Sequence, residues 1–361
     1  MDLNRRHMLT VAGVSAATSV AGCVGSLEGS GNGTDDGGDL PSYHRWLTTD
    51  DDGEVGYSYV DWSVFDTAAT GDRTTSNEST SWAEMDPMIG LPMTGAVAAA
   101  LLINFGLRSY GLEDEVTYGK SDLETDDAEA ETSTVETMVS TNEAVVLTGD
   151  IDTDAVDAVL TTEPETFSFA EQYERTDEIG DYDVYTPSDG DETDAVAVSD
   201  GALVFPLTMV VDDPVAAIRT PIDAAAGDAT RATDESDGFE WLVSTAGTGT
   251  LVVGWYGGEF EPPAGGREGA DGNVTDSDRE GYGEFDAEYT ELDGVESGIA
   301  SLTVSENGAQ ASADFAAFLE ADDASRLEAS LGSSAAESSV EIEDGRMTAS
   351  ATWNSLEYRS E

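Results

Sequence analysis

Three stretches of the chain alternate apolar and polar residues on either side of a turn-forming pair. In Val340–Trp353, Val340 and Ile342 alternate with acids, Asp344–Gly345 reverses the chain, and Met347, Ala349, Ala351 and Trp353 alternate with Thr and Ser. A two-residue turn flanked by period-two patterning predicts a β-hairpin with one face buried and one wet. Ala195–Phe205 repeats this design around Asp200–Gly201, and Ala300–Phe315 repeats it around Asn307–Gly308. The stretch Val55–Trp62 predicts a further strand with Tyr57 and Tyr59 on one face.

Between the hairpins the period lengthens to three and four. Asp213–Pro214 opens a helix and Gly227 closes it, with Val215, Ile218, Ile222 and Ala225 on one side and a kink expected at Pro221. Thr153–Leu160 gathers Val156, Val159 and Leu160, and Asp323–Leu331 gathers Ala324, Leu327 and Leu331 ahead of Gly332. These elements predict an α+β fold of two related modules, each an antiparallel sheet with helices packed on one face. The expected division places a first domain at 41–256, an acidic Gly-rich linker or loop at 257–284, and a smaller module at 285–361.

One segment lacks both signatures. Pro87–Leu107 runs 21 residues without a charge, long enough to span a bilayer. A buried helix from about Thr94 to Phe105 is the expectation, and a membrane span is the alternative.

The start of the chain differs in kind. Arg5 and Arg6 precede an uncharged run from Thr10 to Gly22, which ends at Cys23, the only cysteine. A charged start, a short apolar stretch and small residues before a cut predict a signal peptide over 1–22. Arg5–Arg6 followed by Met8–Leu9 resembles a twin-arginine export signal, which carries folded proteins. Val20, Ala21, Gly22 and Cys23 resemble a lipobox, so Cys23 is expected to carry lipid. Residues 23–40, rich in Gly, Ser and Asp, read as a flexible tether.

Charge then sets the environment. The chain has 76 acidic and 14 basic residues, a net −62, and its one lysine is Lys120. Residues 1–22 carry a net +1, so cleavage leaves about −63. Such charge repels itself at ordinary salt and is screened within about 3 Å at 1 M. With the signal and lipobox, this acid-rich, nearly lysine-free composition resembles the uncharacterised twin-arginine-exported lipoproteins of halophilic archaea. The resemblance implies a protein held by lipid on the outer face of the cell membrane, and it names no site. Sequons at Asn32, Asn77 and Asn273 are candidate glycosylation sites.

The chemistry is bounded by scarcity. After cleavage one histidine remains, His44, too few ligands for a His/Cys zinc or haem site. No metal and no cofactor is expected, and a catalytic triad would have to pass through His44. Asp50–Glu54 and Asp271–Asp278 have the density of calcium loops but read as solvated turns. With no basic patch to offset phosphate repulsion, neither nucleic acid nor anionic lipid headgroups are expected partners. The expectation is therefore a non-enzymatic envelope protein with a binding or scaffolding role, touching the membrane through Cys23 and an unidentified envelope protein or small molecule. A solute-binding receptor of an importer and a carboxylate-dependent hydrolase are the alternatives.

Overall fold

The computed structural model describes residues 40–62, 86–119, 133–164, 171–190, 193–207, 211–258, 292, 295–305, 310–319 and 324–354. A 3-10 turn at Ser42–Trp46 leads into β1 (Val55–Asp61) and α1 (Pro87–Tyr110). Next come β2 (Val116–Tyr118), β3 (Ser133–Ser140), β4 (Ala144–Asp150) and α2 (Thr153–Thr161). The strands β5 (Tyr173–Ile179), β6 (Tyr182–Pro187), β7 (Val196–Val198) and β8 (Ala202–Pro206) follow. Three helices, α3 (Pro214–Ala226), α4 (Ala232–Glu235) and α5 (Asp237–Ala246), lead to β9 (Leu251–Tyr256). The chain closes with β10 (Ser297–Val304), β11 (Ala311–Phe318), α6 (Ala324–Ser330), β12 (Glu337–Glu343) and β13 (Arg346–Trp353).

Among the described residues all 13 strands belong to one sheet, ordered β12-β13-β11-β10-β9-β1-β3-β4-β8-β7-β6-β5, with β2 attached to β3. Neighbours pair antiparallel except β2 with β3. The α+β class expected from the sequence holds. The two expected modules, however, are halves of a single sheet within one compact unit, Asp39–Glu361. The expected boundary at 257–284 falls between β9 and β10, which pair directly from Gly298 opposite Trp255 to Leu302 opposite Leu251. The first described strand in chain order, β1, lies between β3 and β9 and so joins the halves.

Helices cover both faces of this sheet rather than one. Period-two alternation sends Val60, Leu147, Leu203, Val253 and Phe315 to one core, beneath α1, α2 and α6. It sends Tyr57, Val146, Val204, Val252 and Ile299 to the other, beneath the 3-10 turn, α3, α4 and α5. The middle strands are therefore apolar on both sides, as AVVL at 144–147 and ALVF at 202–205 are.

The local instructions act as the turn chemistry dictates. Asp344 at φ 51° and Gly345 at φ 79° make the left-handed pair of a two-residue turn, setting Glu343 opposite Arg346. The Asp200–Gly201 turn likewise sets Val198 opposite Leu203. β10 and β11 pair as expected, while Asn307–Gly308 lies outside the described residues. In α3 the Asp213 side chain accepts from the Ala216 N–H, Gly227 closes the helix at φ 84°, and the helix continues through Pro221. The pair α4–α5 was not expected, although Phe239, Leu242, Val243 and Ala246 are spaced as one buried helical face behind the Ser236 cap.

Helix α1 begins seven residues before the expected start. Asp86 caps it, Pro87 occupies the first turn where an N–H has no partner anyway, and Gly111 ends it at φ 71°. Its best 18-residue window has a mean hydropathy of 1.8, enough to cross a membrane. In the compact unit the helix instead lies across β9, β1 and β10, burying Met88, Leu91, Ala99, Ile103 and Leu107. Close approach depends on small residues: a Cβ at Gly106 would overlap the Phe205 ring, and one at Gly95 would lie 3.3 Å from Val253 Cβ.

Gly106→Ala is accordingly expected to cost about 1–3 kcal/mol through overpacking. Gly201→Ala, whose Cβ would meet nothing within 4 Å, is expected to change stability by less than about 0.5 kcal/mol. Denaturant titration of both variants in molar salt checks the contrast.

Candidate functional site

The residues that carried the sequence argument for anchoring and modification, Arg5, Arg6, Val20, Ala21, Gly22, Cys23, Asn32, Asn77 and Asn273, lie outside the described residues. Within the described fold the question becomes what the buried polar groups do, since each must be satisfied where water cannot reach it.

His44 sits in the 3-10 turn, 7% exposed, and its Nδ1–H donates to the Pro41 carbonyl at 2.8 Å. The ring is thus used locally, to hold the turn that brings Tyr43 and Trp46 to the sheet. At Asp50–Glu54, the Asp50 Oδ1 accepts from the N–H of Asp52 at 3.0 Å and of Glu54 at 2.8 Å. Asn142 then donates to the Glu54 carbonyl at 3.1 Å and accepts from the Gly56 N–H at 2.6 Å. This carboxylate shapes a turn and ties it to the β3–β4 loop. Among the described residues no group of three or more His, Cys, Asp or Glu side chains is placed to hold a metal ion.

Tyr57 and Tyr59 share a face, as their spacing predicted, and Tyr43 packs against both. Its ring stacks on Tyr59 at 4.7 Å and tilts against Tyr57 at 5.4 Å. Phe239 from α5 meets Tyr57 edge-on at 6.2 Å. The Tyr43 hydroxyl donates to the Gly247 carbonyl at 2.8 Å. Burial pushes the Tyr43 and Tyr57 hydroxyls well above the ordinary tyrosine range, so both stay neutral. These rings are core, cemented by hydrogen bonds at their tips.

Two aspartates are placed differently from the many on the surface. Asp86 is 6% exposed. Its Oδ1 accepts from the N–H of Met88 at 3.2 Å and of Gly332 at 3.0 Å. Its Oδ2 accepts from the Ser334 N–H at 3.1 Å and the Ser334 hydroxyl at 3.0 Å. Trp353 in turn donates its indole N–H to Ser334 Oγ at 3.1 Å. One carboxylate therefore caps α1 and holds the loop after α6 and the end of β13.

Asp194 performs the matching task at the other end of α1. Its Oδ1 accepts from the Tyr110 hydroxyl at 2.6 Å and the Ala195 N–H at 2.8 Å, and its Oδ2 from the Tyr173 hydroxyl at 3.1 Å. Tyr110 is the last residue of α1, and Tyr173 is the first of β5. Burial pushes the Asp194 carboxyl up from the ordinary 3.8, and the three hydrogen bonds only partly offset it. The same burial, reinforced by the neighbouring carboxylate, raises both tyrosine hydroxyls.

Sequence reasoning did not single out either aspartate. Among 76 acids no spacing distinguishes them. Only Asp86 had a local signal, its place directly before Pro87 at the edge of an uncharged run.

No family model matches the chain, and no curated protein matches it. Among solved structures, crystal form I of TP0453 aligns at 9% identity over 88% of this chain and 94% of that one, with a TM-score of 0.36. Crystal form III of the same protein aligns at 8% identity over 86% and 93%, with a TM-score of 0.34.

Two outcomes follow from the paired aspartates. Asp86→Ala leaves several buried donors unmatched and is expected to cost about 2–4 kcal/mol in denaturant titration. Asp194 acts through pH. From 3.8 up to its raised folded value, the folded chain holds this proton more tightly than the unfolded chain does. Stability therefore falls as pH rises across that window and is level above it. Asp194→Asn, which does not titrate, is expected to flatten this part of the stability–pH curve, measured as the difference from wild type at fixed high salt.

Proposed function

We propose that the chain is a lipid-anchored, extracytoplasmic and non-enzymatic cell-envelope protein of a halophile, with a binding or scaffolding role. The observation that carries this reading is the order Arg5–Arg6, uncharged stretch, Val20-Ala21-Gly22-Cys23, then a Gly/Ser/Asp-rich segment. Support comes from the point where the compact unit begins, Asp39, one residue before the expected end of the tether. The acidic composition adds to it, because a net −62 on one chain suits a medium of molar salt.

The other readings find less support. A solute-binding receptor was expected to carry alternating βαβ units around a parallel sheet, whereas among the described residues parallel pairing is confined to β2 and β3. A carboxylate-dependent hydrolase would draw on buried acids, and the oxygens of Asp86 and Asp194 are engaged by donors that hold α1 in place.

Intact mass of the membrane-extracted protein tests the proposal, with its N-terminal peptide sequenced. A chain starting at lipid-modified Cys23 is expected, and Cys23→Ser should release folded protein from the membrane. A native chain starting at Met1, or an unmodified Cys23, would overturn the anchor.

A further inference from the structure

The two end strands of the sheet are finished differently. β5 carries a register shift between Arg175 and Asp177. Its charges also meet partners: Arg175 pairs with Glu178 and Asp183, and Asp177 with Arg219. Bulges and charges of this kind close an edge to further pairing. β12, at the other end, runs in unbroken register with β13, from Glu337 opposite Thr352 to Glu343 opposite Arg346. Its residues are exposed except for Val340, which is half-buried, so no described residue covers the strand.

We propose that β12 is a docking edge that takes up an extended basic segment of another protein as a further antiparallel strand. This gives a partner class to the binding role argued above and rests on that role, not on lipid at Cys23.

Three observations carry it. The first is which backbone groups are free. The two-residue turn at Asp344–Gly345 makes Glu343 and Arg346 a hydrogen-bonded pair. The Leu319 N–H on the Gly345 carbonyl, at 2.9 Å, fixes the same phase from the β11 side. Alternation along β12 then turns the N–H and C=O groups of Ser338, Val340 and Ile342 outward. Among the described residues none of these groups has a partner. A row of open main-chain groups is what an added strand binds.

The second is how the side chains sort. Val340 and Ile342 lie on one face, where Val340 packs against the core and Ile342 is 44% exposed. Glu337, Glu341 and Glu343 lie on the other face, and among the described residues none of them forms an ion pair. The base opposite Glu343, Arg346, instead lies over the Trp241 and Phe318 rings, at 4.6 and 5.7 Å. An antiparallel strand of alternating apolar and basic residues matches both faces at once.

The third selects against a second copy. Two β12 strands paired antiparallel about Val340 would set Glu343 of each against Glu337 of the other, on chains that each carry −62. Like charges directly opposite destabilise a pair, whereas a basic segment turns the same acids into attraction. Molar salt weakens this attraction but leaves main-chain bonding and the apolar contact. Backbone pairing therefore supplies the affinity and charge the preference.

The full chain is titrated in molar salt with a fluorescent seven-residue peptide alternating valine and lysine, and binding is read by anisotropy. Binding is expected, several-fold weaker for the valine/glutamate counterpart. In antiparallel pairing the valine N–H groups face β12 and the lysine N–H groups face away. N-methylation of the valines should therefore abolish binding, and N-methylation of the lysines should leave it. Glu341→Ser, an exposed change, is expected to weaken the lysine peptide about two- to five-fold. Equal binding of the two N-methylated peptides, equal binding of the glutamate counterpart, or no binding would overturn the proposal. Slow hydrogen exchange at Ser338, Val340 and Ile342 in the peptide-free chain would also overturn it, by showing the edge already covered. With a dimeric mass, that cover would be a second copy. None of these readings depends on Cys23, whose modification is tested separately by mass.

Discussion

A carboxylate leaves water only where donors meet it, and the donors that meet Asp86 come from residues 332 and 334, far along the chain. This one requirement fixes much of the architecture. The Asp86 cap starts α1, and the helix can then lie across β9, β1 and β10. The loop after α6 must be present to satisfy the same oxygens, and Trp353 reaches that loop from the end of β13. Asp194 repeats the arrangement where α1 stops. A helix apolar enough for a membrane is thereby pinned at both ends to a sheet, and its small residues let it settle between the pins.

Among the described residues the other acids keep at least partial contact with water. Arg175 pairs with Glu178 and Asp183, and Arg219 with Asp177, all with exposed or half-exposed side chains. Such pairs contribute little individually, and 14 bases cannot neutralise 76 acids. The fold is held by two apolar cores and a few saturated polar groups, while the surface charge weakens the compact state unless salt screens it. Around Asp86 and Asp194, polar chemistry in the interior serves architecture, and the residues on which the proposed anchor rests lie before the first described residue.

Short-range features were legible in the sequence because their causes are short-range. Asp344–Gly345 and Asp200–Gly201 specify their turns within two residues, and Asp213–Pro214 with Gly227 brackets α3. The joining of both halves into one sheet was not legible, since β1 meets β9 about 200 positions later and no local pattern encodes that partnership. Coverage of both sheet faces had a signal in the unbroken apolar runs AVVL and ALVF, which contrast with the strict alternation of β13. The expected start of α1 at Thr94 was seven residues late, and the added turns hold Gly90 and Pro92, where packing on a buried face overrides propensity. Asp194 had no local signal, because what distinguishes it is the pair of tyrosine hydroxyls that tertiary structure brings to it.

The position of β1 also has a consequence in time. It is among the first elements to be synthesised, yet one of its two edges stays unpaired until β9 exists, and the Asp86 oxygens wait longer still, for Gly332 and Ser334. A nascent chain can therefore pair both edges of β1 only once β9 has emerged, and can satisfy the Asp86 oxygens only once residues 332 and 334 have. Completion of the fold waits on residues late in the chain. A transport route that threads an unfolded chain would have to move this one before it closes, whereas a route that accepts folded cargo can wait.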